Sequence, residues 1–252
     1  MLLKQKLSTL EMKKTSIPEI KIKINSTKLI HKSNVKYVYV TLDEHLTFEY
    51  HLNLLNSKLK RANNLIAISR HYLPRELLNQ IYYGQFYSHL TYGCLLWGQD
   101  EEKIAKTFTL QKKAVRLLSF KDPQEHSSPI FKELKLLKLV DIIKLNNVLF
   151  THATINKNTP PVFNDYFKFK DLSQNNVRNN LNVFQTLSGS LEIPPNECKL
   201  SLRYICPIVW NAIHRDLSSK FPDYYKNDPF WLRNISIEKL KSILKWCYLE
   251  YY

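Results

Sequence analysis

The chain has only 4 glycines in 252 residues, and it lacks the short motifs that mark the common catalytic sites. So little glycine argues against a turn-rich β protein and favours helices. No paired aspartates occur, so there is no Asp-Asp dyad to hold two catalytic metal ions. There is likewise no glycine-rich phosphate loop, no GxGxxG, no GxSxG and no HExxH. Cys94, Cys198, Cys206 and Cys247 form no CxxC pair, which points to ordinary thiols of a reducing compartment rather than a zinc site or disulfide frame. The residues from Met1 to Lys6 do not start a long apolar run, and no uncharged apolar stretch reaches about 18 residues. A soluble intracellular protein, nuclear or cytoplasmic, with no membrane partner is the expectation.

What the chain does have is apolar mass and positive charge. Hydrophobic residues make up 44% and aromatics 12%, enough for a packed core and too much for a disordered chain. The formal charge of +15 favours a polyanion, with nucleic acid first and an anionic membrane surface second. A merely lysine-rich, solvated surface fits the same number.

The patterning predicts an α+β chain that is mostly helix. Residues 1–17 form a basic, weakly patterned segment. Residues 18–51 read as β structure: Ile20, Ile22 and Ile24 alternate with Lys21 and Lys23, Asn25-Ser26-Thr27 supplies a turn, and Leu29–His31 resumes the alternation. Val35–Leu42 reads as one further strand. Residues 52–156 carry helical spacing, first at Leu52, Leu55, Leu59, Ala62, Leu65 and Ile66, then from Pro74 through Phe86. Further helices are predicted near Lys103–Phe120, with Ile104, Phe108, Gln111, Val115 and Leu118 inward, and near Leu139–Ile155. A polar break at Asn156–Pro161 opens a C-terminal region, 157–252. It contains an Asn-rich loop at Gln174–Asn182 and ends in an amphipathic helix near Ile237–Tyr252.

Four blocks stand out in order. The first is Val35-Lys36-Tyr37-Val38-Tyr39-Val40-Thr41-Leu42-Asp43 with Leu46-Thr47-Phe48 and His51. The second is the aromatic run Tyr82–Trp97, and the third is Leu110-Gln111-Lys112-Lys113-Ala114-Val115-Arg116. The fourth is Ser201-Leu202-Arg203-Tyr204 with Pro207 and Val209-Trp210-Asn211, and the closing Lys239-Leu240-Lys241 with Leu244 follows it. Together they resemble the thumb and C-terminal region of reverse transcriptases from non-LTR (LINE-type, jockey-like) retrotransposons.

That resemblance implies a primer-grip-like element at Tyr37, Val38, Tyr39 and Val40. It also implies a helical thumb that holds template–primer phosphates. Tyr39 stands where the family pattern has glycine, which puts a bulky side chain where a primer strand would approach. The magnesium ions of such enzymes would belong to a palm that this chain lacks, so no cofactor and no catalytic residue is expected here. The implied nucleic-acid-binding residues are Lys58, Lys60, Arg61, Lys106, Lys112, Lys113 and Arg116, on two amphipathic helices. The implied ligand is RNA–DNA hybrid or duplex, bound weakly and without sequence preference.

Solvated helix faces explain the same cations without any ligand. Tyr82, Tyr83, Phe86, Tyr87, Tyr92 and Trp97 fit base-stacking platforms or, more simply, a core. Trp210 with Arg203, Tyr204 and Pro207 reads as a structural knot. Asp43, Glu44, His45, Glu49 and His51 cluster in sequence without metal-ligand spacing. Three functions remain open: a non-catalytic polymerase remnant, one piece of an active enzyme completed by a palm-containing polypeptide, or a helical protein-interaction adaptor.

Overall fold

The computed structural model describes residues 23–24, 27–28, 32–169, 190–194, 198–228 and 230–252. The basic segment 1–17, most of the first predicted hairpin and the Asn-rich loop lie outside the described residues. Within them the fold is α+β and mostly helix. Strands β1 (Lys23–Ile24) and β2 (Thr27–Lys28) pair antiparallel, as do β3 (Asn34–Tyr37) and β4 (Val40–Asp43). The helices are α1 (Glu49–Ser69), α2 (Arg75–Ile81), a π-helical stretch (Tyr82–Tyr87), α3 (Ser88–Thr91), α4 (Cys94–Trp97) and α5 (Glu101–Leu118). After α6 (Ser127–Glu133) and α7 (Leu139–Ile155) come a 3-10 turn (Pro161–Phe163), α8 (Leu202–Lys220), α9 (Pro222–Asn227), α10 (Trp231–Asn234) and α11 (Ile237–Glu250).

The expected single strand Val35–Leu42 is in fact the hairpin β3–β4. Its pairing runs from Asn34↔Asp43 to Tyr37↔Val40, leaving Val38 and Tyr39 as a two-residue turn. Both turn residues have positive φ, 42° and 66°, as a tight hairpin with the right-handed strand twist demands. Glycine or asparagine is the usual occupant, so period-2 alternation concealed this turn. The Asp43 carboxylate then accepts backbone N–H groups from His45, Thr47 and Phe48, which bends the chain into α1. Burial acts to raise the Asp43 carboxyl. The donated hydrogen bonds outweigh it and hold the group below the ordinary carboxylate range.

Helix α1 buries Leu52, Leu55, Leu59, Ala62 and Ile66 along one stripe. The chain returns beside it through α2, the π-helical stretch, α3 and α4. Gly93, at φ 63°, makes the bend before α4, where an added Cβ would meet Val40 at 3.1 Å. Helix α5 then runs parallel to α1. Near one end the Lys103 ammonium donates to the Thr47 carbonyl at 3.2 Å, and near the other the Arg70 guanidinium covers the Phe120 ring at 5.1 Å. Asp100 caps α5 by accepting from the backbone N–H groups of Glu102 and Lys103. Two buried polar contacts fix the register of α1 on α5: Thr107 Oγ1 donates to Asn56 Oδ1 (2.8 Å), and Asn63 Nδ2 donates to the Leu110 carbonyl (3.0 Å).

Beyond the break at Asn156–Pro161 the chain comes back to α7. Trp210 and Leu217 of α8 and Leu240, Leu244 and Cys247 of α11 join the same contiguous core as α1 and α5. Asn211 clamps the backbone of Leu191, accepting its N–H at 2.7 Å and donating to its carbonyl at 2.9 Å. With Trp210 fully buried, this element is structural.

Gln111 is fully enclosed, and its amide donates to the Leu137 carbonyl (2.9 Å) and the Tyr82 hydroxyl (3.2 Å) while accepting from the Leu139 N–H (2.7 Å). Replacing it by a similar-sized apolar residue strands three buried polar groups, so Gln111→Met is expected to destabilise the protein by about 3 kcal/mol or more. Urea unfolding of the two proteins measures this. A second expectation concerns the hairpin: Val38→Asn with Tyr39→Gly relieves left-handed strain of about 1–2 kcal/mol per residue, partly offset by lost side-chain contacts. The melting temperature should rise by about 2–4 °C.

Candidate nucleic-acid interface

The predicted basic residues fall into three groups, because the helices that carry them present different sides. Lys58 and Arg61 lie on the flank of α1 that faces α3. There they line a cavity of about 430 Å³ together with Lys36 and Tyr39 of the hairpin and His89 and Tyr92 from the returning segment. Neither Lys36 nor His89 was legible as a site residue, since neither stands in a basic run.

Lys60 faces the other way. It is four residues after Asn56 and three before Asn63, both of which bond to α5, so it borders the seam between α1 and α5. Lys106 and Lys113 flank Leu110 on α5 at four- and three-residue steps and border the same seam, and all three are exposed. Among the described residues, no carboxylate pairs with Lys58, Lys60, Arg61, Lys106 or Lys113.

Lys112 and Arg116 depart from the expectation that all four basic residues of α5 share one outward face. The Lys112 ammonium sits 4.4 Å from the centre of the Phe108 ring, and the Arg116 Nε donates to the Glu125 carbonyl at 2.7 Å. Both are half-buried, and Arg116 ties α5 to the loop that follows it. Burial lowers the Lys138 ammonium, Asp141 counters it, and the charge of Lys112 adds to the lowering.

The aromatic run divides as well. Tyr82, Phe86 and Trp97 are buried, and Tyr82 stacks on Phe86 with ring centres 5.3 Å apart. Tyr87 is half-buried, while Tyr83 and Tyr92 are exposed. The Tyr92 hydroxyl donates to the Val38 carbonyl, joining the hairpin turn to the segment after α3. Of the primer-grip-like residues, Tyr37, Val38 and Tyr39 are exposed and Val40 is buried against the core.

No family model, curated protein or solved structure matches this chain.

Within the acidic and histidine cluster, Asp43 and His51 make contacts that shape the fold. His51 Nδ1 accepts the Thr41 N–H at 3.3 Å, and Asp43 is engaged by the backbone. Among the described residues no group of three or more His, Cys, Asp or Glu side chains could hold a metal ion, and no helix is long and apolar enough to cross a membrane. Burial pushes the Cys94 and Cys206 thiols up to about 12, which removes both as nucleophiles near neutral pH.

Three histidines carry a pH dependence. Burial lowers His51 and His89, and the charge of Lys58 adds to both. Burial also lowers His152, against hydrogen bonds to Ile235 and Arg233 that act the other way. A depressed native value means that the unfolded chain takes up protons first. The stability these groups contribute is complete above their unfolded value, about 6.5, and is lost as pH falls toward their lower native values. The melting temperature is expected to fall between about pH 7.5 and pH 5.5, and less steeply in a His51→Gln, His152→Gln double variant. Parallel curves for the two proteins would disprove the assignment.

Proposed function

We propose that this chain is the thumb and C-terminal part of a non-LTR retrotransposon reverse transcriptase. In this reading it grips RNA–DNA hybrid or duplex without sequence preference and performs no polymerisation. The observation that carries the reading is the seam between α1 and α5, edged by the exposed Lys60, Lys106 and Lys113. Cations without carboxylate partners, held on rigid helices, suit phosphates spaced along a strand. The family-like blocks support it further, since each forms part of one connected structure. The first becomes the hairpin and the start of α1, the second the returning helices, and the third the part of α5 that puts Gln111, Ala114 and Val115 in the core. The sequence has no adjacent Asp-Asp pair of the kind such polymerases use to hold two metal ions, so in this reading the role of these residues is binding.

The seam runs along two parallel helices, so its cations would follow a duplex backbone and ignore the bases. With the three seam cations on phosphates, log affinity should fall against log salt with a slope of roughly −3. Fluorescence anisotropy of a labelled RNA–DNA hybrid between about 50 and 200 mM salt measures this. The triple variant Lys60→Ala, Lys106→Ala, Lys113→Ala should flatten the slope by about 3, equally for hybrids of different sequence. Retention at low salt no greater than that of a neutral control protein would refute the proposal.

A further inference from the structure

The cavity on the α3 flank of α1 differs in kind from the seam. At about 430 Å³ it has the volume of a small-molecule site and cannot admit a double helix. Its walls come from three places in the sequence: the β3–β4 hairpin, the middle of α1, and the segment from α3 to Tyr92. Lys36, Lys58 and Arg61 supply three positive charges, and no carboxylate lines it. Like charges gathered around one concavity repel each other until an anion enters, and a phosphate monoester with two negative charges answers that arrangement better than a single backbone diester. Two imidazoles, His51 and His89, complete the polar wall. With Nδ1 accepting from Thr41, a neutral His51 carries its proton on Nε2 and is a further donor.

The rim adds an aromatic element. Tyr39 lines the cavity from the hairpin turn, about 70% exposed, and its backbone is held at φ 66°, a region that favours glycine. Strain of this sort persists where surrounding contacts impose it, and it often accompanies a binding role. Here the Lys36 ammonium lies 4.7 Å from the ring centre, and Tyr92 ties the turn down through the Val38 carbonyl. The result is an exposed aromatic face beside a cluster of cations, the combination that a base attached to a phosphate requires.

We infer that this cavity is a pocket for a single nucleoside phosphate, with Lys58, Arg61 and Lys36 on the phosphate and Tyr39 against the base. The choice of a nucleoside over other phosphate monoesters rests on the nucleic-acid reading above. The phosphate recognition itself rests only on the cavity. The same chemistry is presented by a free mononucleotide and by the phosphorylated end of a strand.

Isothermal titration calorimetry of the full chain tests it, with adenosine 5′-monophosphate, inorganic phosphate and adenosine as separate titrants. The nucleotide should bind, inorganic phosphate should bind roughly tenfold more weakly, and adenosine should give no heat. Lys58→Ala and Arg61→Ala should each weaken the nucleotide by roughly tenfold, with melting curves that show both variants folded. Tyr39→Gly should reduce nucleotide affinity to that of inorganic phosphate. Lys113→Ala should leave nucleotide binding unchanged while weakening the hybrid. A 5′-phosphorylated single strand that outcompetes the nucleotide, where its 5′-hydroxyl counterpart does not, would assign the pocket to strand ends. A nucleotide that outcompetes both would assign it to free nucleotide. Absence of nucleotide heat at millimolar concentration, with hybrid binding intact, overturns the pocket and leaves the proposed function standing. Nucleotide binding without hybrid binding does the reverse. Equal affinity for nucleotide and inorganic phosphate overturns the nucleoside part.

Discussion

The buried amide of Gln111 is the contact on which most of the structure depends. Helix α7 begins after Lys138, whose side chain supplies no cap, so the first N–H of the helix at Leu139 has no partner of its own. Gln111 supplies one from α5, and the same amide holds the Leu137 carbonyl just before the helix and the Tyr82 hydroxyl across the core. Burial raises the Tyr82 hydroxyl further from ionisation, so it stays a neutral phenol in need of a hydrogen-bond partner. One side chain thereby fixes α5, the π-helical stretch and the start of α7 to one another. Among the described residues, α8, α10 and α11 pack on α7, so these C-terminal helices inherit their position from this amide. The C-terminal Tyr252 reinforces the joint from outside: its hydroxyl accepts from the Lys138 N–H and donates to the Asp141 carboxylate.

A rigid scaffold also decides which cations can act together. Asn56 and Asn63 set the register of α1 against α5, and that register places Lys60 with Lys106 and Lys113 rather than with its sequence neighbours Lys58 and Arg61. The three-residue run Lys58-Leu59-Lys60 therefore straddles α1, with Leu59 in the core and one lysine on each flank. Under the proposed function a polyanion would meet two separate surfaces. One is an open seam suited to a continuous backbone, and the other is a concavity suited to one phosphate.

The long helices were legible because apolar residues recur with the helical period over many turns, and the span expected for α7 coincides with the observed one. Gln111 was legible too, as a polar residue in step with Ile104, Val115 and Leu118, although its partners were not. The hairpin turn was not legible, since Val38-Tyr39 continues the strand-like alternation and carries none of the residues that a left-handed turn prefers. The misplacement of Lys112 and Arg116 has a similar cause. Both sit at the margin of the buried stripe, and what decides their fate is Phe108, Glu125 and the start of α7, contacts that helical spacing alone does not reveal. Lys36 and His89 belong to the cavity only because the chain doubles back beside α1, bringing together residues more than fifty positions apart.

The hairpin shows how the parts constrain one another. Its turn is unfavourable in isolation: two left-handed residues cost about 1–2 kcal/mol each, and a cation over an exposed ring returns about 0.5–1 kcal/mol. Four pairs of residues in a two-stranded ribbon do not hold such a turn by themselves. Contacts from elsewhere must do so, and they are visible: Val40 buried against the bend at Gly93, the Thr41 N–H donated to His51, and Tyr92 bonded to the Val38 carbonyl. The position of Tyr39 is therefore set by α1 and by the segment from α3 to Tyr92, which also hold Lys58, Arg61 and His89. A ligand that touches all of them would tighten contacts that already determine the turn, so binding in the cavity and order in the hairpin are coupled through the same few residues.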